Sequence, residues 1–414
     1  MENIEEIKDI GEVITEKITI TSRGRNIEFE TLAVQTVIYE DIFSNVMTGH
    51  TVILDALSFI THLPLSGMET ITFRYRSPGF TNAVIEKTFY ITAVEERLLG
   101  EKEQSYVIHF ISTEALRDNV TTIGKKLKGK TDDIITKIFN EHLKQKKNLV
   151  VTERHVSDAV LVSPSWSPLK VINWICNRSY TKTPNVLFFE GNKNFYLSSV
   201  SNLMMQPPYG VYSYVPATST NVYKDLASKY NNITKISPID FIDVFKAQDY
   251  GYYASSLITH DITLKEYKEF TWDHHTELAK LGNRGTQVFP KDVPRNSNNY
   301  RSVRTKQYKM FDETPDPFYE KWAMQKNSFM YEAQNLRLII EVPGKTDIEV
   351  GKTIKCIIPK STGKDNSGKA TFDDYLDPYL SGKYLITSIR HSFLLNKHEM
   401  ILELMKDSFD KPLG

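Results

Sequence analysis

The sequence predicts a mainly β protein with an α/β domain: two tube-like β-barrels related by an internal repeat, a small α/β domain and an irregular insertion. Three observations support this fold class. Alternating strand patterns recur near both ends of the chain, a lysine-rich helical stretch begins at Glu114, and residues 250–327 lack regular periodicity. Recurrence of a pattern in the same order indicates duplicated structural units.

The proposed repeat has three elements. Phe89–Glu95 aligns with Tyr384–Arg390, and each segment is followed by a second alternating strand. Upstream, the glycine-led segment Gly49–Val52 matches Gly351–Ile354. The second alternating strands carry apolar residues at matching positions, namely Tyr106, Ile108 and Phe110 in the first copy and Met400, Leu402 and Leu404 in the second. Half-buried strands resemble one another by chance, so the shared order and spacing are what favour duplication.

The first two domains follow from local signals. Residues 1–113 are expected to form the first barrel, with a hairpin around the polar turn Ser22–Asn26. Residues 114–215 are expected to form the α/β domain, with one helix beginning near Thr131 and another capped by Ser167 before Pro168. A hairpin is expected where Glu190–Asn194 separates two apolar runs.

The second barrel is expected to be discontinuous. Residues 216–249 and 328–414 are assigned to it, and residues 250–327 form an insertion domain between its strands. The insertion contains Gly251, Gly282, Gly285 and the basic stretch Arg295–Lys309, which favour an irregular segment at the surface.

The composition restricts the functional classes. The chain has 414 residues, with 51 Lys and Arg against 51 Asp and Glu, so its net charge gives no argument for binding nucleic acid or membranes. The acidic N-terminal residues lack the apolar core of a signal peptide, and no apolar run of about 18 residues predicts a membrane span. We therefore expect synthesis in a cytoplasm and no stable membrane insertion. The two cysteines, Cys176 and Cys356, are expected to be small buried residues.

No catalytic, cofactor-binding or metal-binding residues are predicted, because no nucleophile elbow, phosphate loop or paired-cysteine motif occurs. Trp272–Glu277 contains two adjacent histidines, but adjacent side chains in a strand point to opposite faces. Basic runs at Lys125–Lys130 and Lys144–Lys147 allow nucleic-acid contact, but their acidic neighbours favour an ordinary solvated face.

Several segments resemble the central baseplate hub proteins of contractile-tailed bacteriophages. The resemblance rests on Tyr39–Gly49, Phe188–Tyr196, Gly251–Asp261 and the closing segment Val342–His391. The chain is also similar to the N-terminal hub region of type VI secretion spike proteins. Those spike proteins continue into further domains beyond the second barrel, whereas this sequence stops at Gly414. The expectation is therefore that the piercing tip and any wall-degrading enzyme reside on another chain.

The resemblance implies a homotrimer whose six barrels form a ring, made in the host cytoplasm and located in the virion at the tail baseplate. Its implied partners are the tail tube protein, the central spike protein and neighbouring baseplate wedge proteins, with genomic DNA only in transit through the channel. Inter-subunit contacts are expected on the repeat strands, at Gly49, Val52, Phe89, Ile91, Gly351, Ile354, Tyr384 and Ile386.

Three alternatives remain open at the level of sequence. The chain is equally compatible with the hub of a phage-derived contractile injection or secretion apparatus. A cell-wall glycan hydrolase would need two carboxylates at hydrolytic separation in a pocket within residues 114–215. A carbohydrate-binding adhesion protein would need exposed aromatic residues lining a groove on one barrel.

Overall fold

The computed structural model describes residues 9–62, 65, 67, 69–79, 84–144, 146–214, 229–240, 243–274, 276–277, 296, 300–306, 319–334, 336–360 and 376–406. The fold is mainly β with a smaller α/β part, as predicted. Among these residues, no helix combines the length and the apolar character needed to cross a membrane.

The first barrel is an antiparallel sheet with the hairpin of the first two strands at one edge. Its interior is filled by alternating aromatic and branched side chains such as Phe73, Phe89 and Phe110, because one face of each strand is turned inward. The predicted hairpin around Ser22–Asn26 is confirmed by the pairing of the first two strands. The elements are β1 (Ile14–Ser22), β2 (Arg25–Glu28), β3 (Ala33–Asp41), β4 (Thr48–Asp55), α1 (Phe59–His62), β5 (Thr70–Arg76), β6 (Val84–Leu99) and β7 (Gln104–Ser112).

The α/β domain follows directly. Helices begin at Thr131 and Pro168, and a hairpin spans Val186–Ser199, all as predicted. The elements are α2 (Thr113–Val120), β8 (Lys126–Lys130), α3 (Thr131–Ile138) with a π-helical turn (Phe139–Leu143), β9 (Leu149–Val151), β10 (Asp158–Val162), α4 (Pro168–Cys176), β11 (Val186–Glu190), β12 (Phe195–Ser199) and α5 (Val200–Met205).

The rest of the chain forms the second barrel and the insertion. Within the insertion, β16 pairs with β17 and β18 in a regular three-stranded sheet. The elements are β13 (Val211–Tyr214), β14 (Asn232–Ile233), β15 (Lys235–Asp240), α6 (Val244–Asp249), β16 (Ala254–Asp261), β17 (Glu266–Asp273), β18 (Arg301–Lys306), α7 (Tyr319–Gln334), β19 (Leu336–Pro343), β20 (Thr353–Ile357), β21 (Gly382–Leu394) and β22 (Lys397–Lys406). Strand β13, at the end of the range assigned to the α/β domain, pairs with β20 of the second barrel.

The internal repeat consists of five strands. In the first copy the pairing order is β3-β4-β7-β6-β5, and in the second it is β15-β19-β22-β21-β20. Both copies contain a register shift at the same point, between Ile91 and Ala93 in β6 and between Ile386 and Ser388 in β21. A shared bulge is strong evidence of equivalence, because bulges are specific local features and not defects. The alignment of Phe89–Glu95 with Tyr384–Arg390 is therefore confirmed.

One element of the proposed repeat is wrong. The strand of Gly49 pairs with β7, whereas the strand that follows Gly351 pairs with β21. By pairing order, β4 corresponds to β19 and β20 corresponds to β5. The shared glycine gave a wrong alignment, because a glycine indicates a local backbone requirement and does not predict which strand pairs with the one that follows it.

A single long hairpin joins the two barrels. The first half of β21 pairs with β20, and its second half, Ser388–Leu394, pairs with β3 of the first barrel. Beyond the turn, His398 lies beside the N-terminal segment, and its backbone N–H donates a hydrogen bond to the Gly11 carbonyl. The second copy of the repeat therefore helps to close the first barrel.

Candidate assembly surfaces

The structure places the eight predicted interface residues in two separate groups. Phe89 and Ile91 lie in the core of the first barrel, while Ile354, Tyr384 and Ile386 lie in the core of the second. Each of these five side chains is at most 2% exposed. Buried side chains are not available to another chain, so the proposed contacts between copies have to use the outer faces and edges of these strands. Val52 is half-buried.

The two glycines in this group serve packing within the chain. A Cβ atom on Gly49 would lie 2.3 Å from the Val37 carbonyl oxygen and 2.5 Å from the Phe110 ring. Gly351 has a φ of +80°, which side-chain-bearing residues rarely adopt, and it faces Phe189 of the α/β domain. Both glycines therefore allow close approach of neighbouring segments.

A buried ion pair lies where the first barrel meets the rest of the chain. Lys87 Nζ is 2.9 Å from Glu40 Oε1, with side chains only 3% and 1% exposed. Burial raises the pKa of Glu40, but Lys87 and His391 outweigh it and bring that pKa to about 2. Glu40 also accepts a hydrogen bond from the Val350 N–H at 3.4 Å, so the pair links β3 and β6 with the loop before β20.

Two histidines and a phenylalanine line the shared hairpin beside this ion pair. His391 Nδ1 lies 3.1 Å from His398 Nε2, and both side chains are buried. Phe393 stacks on Tyr75 of β5 with ring centroids 3.9 Å apart, so it belongs to the first barrel's core. Burial, with a smaller contribution from His391, holds the pKa of His398 well below its usual value.

The α/β domain is attached through Glu190. This carboxylate is 3% exposed and accepts the Met47 N–H at 2.8 Å and the Lys147 ammonium at 2.5 Å. Lys147 of the second basic run therefore forms an ion pair within the chain. In the first run, Lys125 and Lys130 pair with Glu141 and Asp158 at 3.1 and 3.0 Å, which fits a solvated face with mixed charges.

One end of the first barrel exposes apolar side chains that the sequence interpretation missed. Register places the end of β4, the β6–β7 tip and the β21–β22 tip together at this end. The exposed leucines are Leu54 (39%), Leu57 (65%), Leu98 (69%), Leu99 (76%), Leu394 (47%) and Leu395 (70%). Paired leucines at hairpin tips, where polar turn residues are usual, were the available signal.

The histidine pair of the sequence motif does not form a metal site in the part of the chain that is described. His274 is buried, with Nε2 3.1 Å from the Tyr252 hydroxyl and Nδ1 2.7 Å from Ser328 Oγ. His275 lies outside the described residues. Within those residues, no three His, Cys, Asp or Glu side chains come together in a way that could hold a metal ion.

A cavity of about 320 Å³ lies between the end of α4, β18 and α7. Its lining includes the cationic and aromatic side chains of Arg178, Arg304, Lys326 and Trp322, and no carboxylate lines it among the residues that the structure describes. A glycan hydrolase needs a pair of carboxylates, so this cavity does not supply the site which that alternative requires. From the basic stretch, Arg301 pairs with Glu269 at 3.3 Å, while Arg295 and Lys309 lie outside the described residues.

No family model and no curated protein matches the sequence. Solved structures do match its fold. A tail protein from Neisseria meningitidis MC58 aligns over 94% of this chain and 96% of its own, with a TM-score of 0.54 and 10% identity. The 43 kDa tail protein of prophage MuSo2 from Shewanella oneidensis aligns over 94% and 97%, also with a TM-score of 0.54 and 10% identity. A chain of a Francisella PdpA–VgrG complex aligns over 96% of this chain and 58% of its own, with a TM-score of 0.50 and 10% identity. The chain therefore has the fold of phage tail proteins and of a chain from a VgrG-containing complex.

Proposed function

We propose that this chain is the structural hub of a phage tail baseplate, a homotrimeric symmetry adapter. Three chains would form a pseudo-sixfold ring that joins a sixfold tail tube to a threefold central spike and encloses the DNA channel. The observation that carries this proposal is the five-strand repeat, in which both copies share their pairing order and a bulge.

Two equivalent barrels in one chain suit an assembly in which two different symmetries meet. A threefold assembly presents three copies of any surface, and a sixfold tube presents six. A chain with two equivalent barrels presents six similar units in a trimer, so one protein can bridge the mismatch. The two barrels share the β21–β22 hairpin, since β21 pairs with a strand of each barrel, and a buried ion pair lies beside it.

The apolar end of the first barrel supplies a surface for one partner. Leu54, Leu57, Leu394 and Leu395 are exposed there, and contiguous apolar patches on soluble proteins mark contact sites. We assign this end to the tail tube protein and other surfaces of the ring to the central spike and the wedge proteins. The assembly would be located in the virion, with genomic DNA in transit only. The role involves no bond breaking.

A second candidate is the hub of a phage-derived contractile injection or secretion apparatus. The similarity to a chain of a PdpA–VgrG complex favours it specifically. Both candidates require the same trimeric ring, and they differ in whether the assembly carries DNA.

The mass of the purified chain tests the proposal. Three chains of 47.7 kDa give a particle of about 143 kDa. Mass photometry of the wild type is expected to show this species. In a co-purification with the tube protein of the same tail, Leu395→Asp is expected to lose the tube protein while keeping the trimer mass. A wild-type chain that remains at the mass of one subunit throughout the concentration range would contradict the hub proposal.

A further inference from the structure

Among the described residues, no third strand lies beside the outer half of the β6–β7 hairpin, whereas its equivalent in the second copy has one. In the second copy, Ser388–Leu394 of β21 pairs with β22 on one side and with β3 on the other. In the first copy, β6 beyond Ile91 pairs with β7 alone among the described residues, because its pairing with β5 ends at Tyr90. The segment Glu95–Leu99 is exposed along its whole length, whereas the equivalent segment contains the buried His391 and Phe393.

The equivalent of Phe393 in the first copy is Leu99. Leu99 lies opposite Gln104 of β7, and Phe393 lies opposite His398 of β22. These two pairs are equivalent because β6 has one extra residue in the bulge after Glu95. Phe393 is 2% exposed because it enters the adjacent barrel, and Leu99 is 76% exposed. The large apolar side chain at this position is therefore buried in the second copy, whereas in the first copy none of the described residues covers it.

The complementary edge is on β15. This strand pairs with β19 as β3 pairs with β4, so β15 is the equivalent of β3. The other edge of β3 receives β21. The other edge of β15 carries no strand among the described residues, although Lys235–Pro238 has the extended backbone that could receive one.

We propose that the β6–β7 hairpin of one copy pairs antiparallel with β15 of the next copy, as β21 pairs with β3 within the chain. This proposal rests on the trimeric hub proposed above. It specifies which residues of neighbouring copies pair with each other. Equivalence places Leu99 opposite Ile236 and Leu98 opposite Ser237 of the next copy. The β21–β3 pairing within each chain would then alternate with the β6–β15 pairing between chains. Together they would connect six barrels in a closed ring and pair the exposed edges of both β6 and β15.

The bulge in β6 is compatible with this register. Glu96 has a φ of +53° and, with Arg97, occupies the place of the single residue His391. In the proposed pairing, the residue of the next copy that lies opposite this bulge is Pro238, which has no backbone N–H to donate. A proline is tolerated at an edge where the approaching strand bulges, so the ladder is expected to be interrupted at this one point.

Two matched leucine variants test the interface. Leu99→Asp and Leu395→Asp each place a charge on a hairpin tip of similar exposure, 76% and 70%. By mass photometry, we expect the wild type and Leu395→Asp to form trimers and Leu99→Asp to remain a single chain. The circular dichroism spectra should match between the two variants, because both leucines are exposed in the isolated chain and neither substitution should unfold it.

A disulfide cross-link tests the register independently. Directly opposite residues in an antiparallel pair have Cα atoms about 4.5–5.5 Å apart, within reach of a disulfide. The variant Leu98→Cys with Ser237→Cys is expected to give a covalent trimer under oxidising conditions. Each single variant, and Leu98→Cys combined with Tyr267→Cys on the exposed strand β17, should not. The native Cys176 and Cys356 are buried and add little background.

The outcomes separate the interface from the hub itself. A wild-type trimer that persists in Leu99→Asp and gives no cross-link between positions 98 and 237 would overturn this interface and leave the hub proposal intact. A wild type that forms no trimer would overturn both.

Discussion

The ion pair between Glu40 and Lys87 gives the sharpest test of how the barrels are joined. Lys87→Met removes the cation and keeps a side chain of similar length, leaving the Glu40 carboxylate buried with only a 3.7 Å approach from His391 and a 3.4 Å contact from the Val350 N–H. Removing one partner of a buried pair typically costs about 3–5 kcal/mol. For cooperative units of this size, the melting temperature of the barrel transition should fall by roughly 6–20 °C.

The pH dependence distinguishes an unpaired carboxylate from a simple packing defect. In the wild type, Lys87 and His391 together hold the pKa of Glu40 at about 2 against the usual 4.5, so this group contributes stability above pH 4.5 that is lost as the pH falls toward 2. In Lys87→Met, burial is the largest influence left on the Glu40 carboxyl and is opposed only by His391, so we expect the pKa of Glu40 to rise above its usual value. The folded variant then takes up a proton before the unfolded chain does, and its deficit should shrink between about pH 7.5 and pH 5.

Thermal melts of three variants at both pH values complete this test. Lys125→Met removes an exposed pair with Glu141 at 3.1 Å and should change little, because exposed ion pairs contribute little. Glu40→Leu combined with Lys87→Met should lose less stability than Lys87→Met alone, since neither charge of this pair remains buried. A Lys87→Met deficit that is small, or that is the same at pH 7.5 and pH 5, would refute the argument.

The remaining predictions concern the shared hairpin and the exposed tip. Phe393→Ala should destabilise the first barrel by about 3–5 kcal/mol, measured by urea unfolding, because the ring fills that core although it belongs to the second repeat; an unchanged midpoint would contradict the shared core. His398 is neutral when folded and takes up a proton on unfolding below its usual pKa of 6.5, so wild-type stability should fall from about pH 6.5 toward pH 5. His398→Gln should flatten this part of the curve, and an equally steep fall in that variant would exclude the histidine as the cause. Leu395→Asp should keep wild-type stability in melts, since the side chain is 70% exposed.

Local signals predicted much of the fold. The caps and apolar spacing predicted the helices beginning at Thr131 and Pro168, and alternation predicted the hairpins. The alignment of Ile91 with Ile386 extends to the bulge, because the repeat preserves the sequence around it. The sheet in the insertion was missed, since short strands separated by glycines and polar loops have weak periodicity.

Pairing partners and buried polar contacts could not be predicted. Alternation shows that one face of a strand is buried but does not say which strand or which chain covers it, so Tyr384 and Ile386 were assigned to an interface although they lie in the chain's own core. The Glu40–Lys87–His391 cluster joins residues up to 351 positions apart, because His391 follows Glu40 by that distance in the sequence. No local sequence pattern predicts contacts between residues so far apart in the chain.

The central claim is that each chain contributes two equivalent barrels to a threefold ring. End-on class averages of the purified chain by electron microscopy test this directly. We expect a hollow ring of three chains with six similar lobes around a central channel. A closed particle with a different number of lobes, or three lobes that alternate with structurally dissimilar ones, would contradict it.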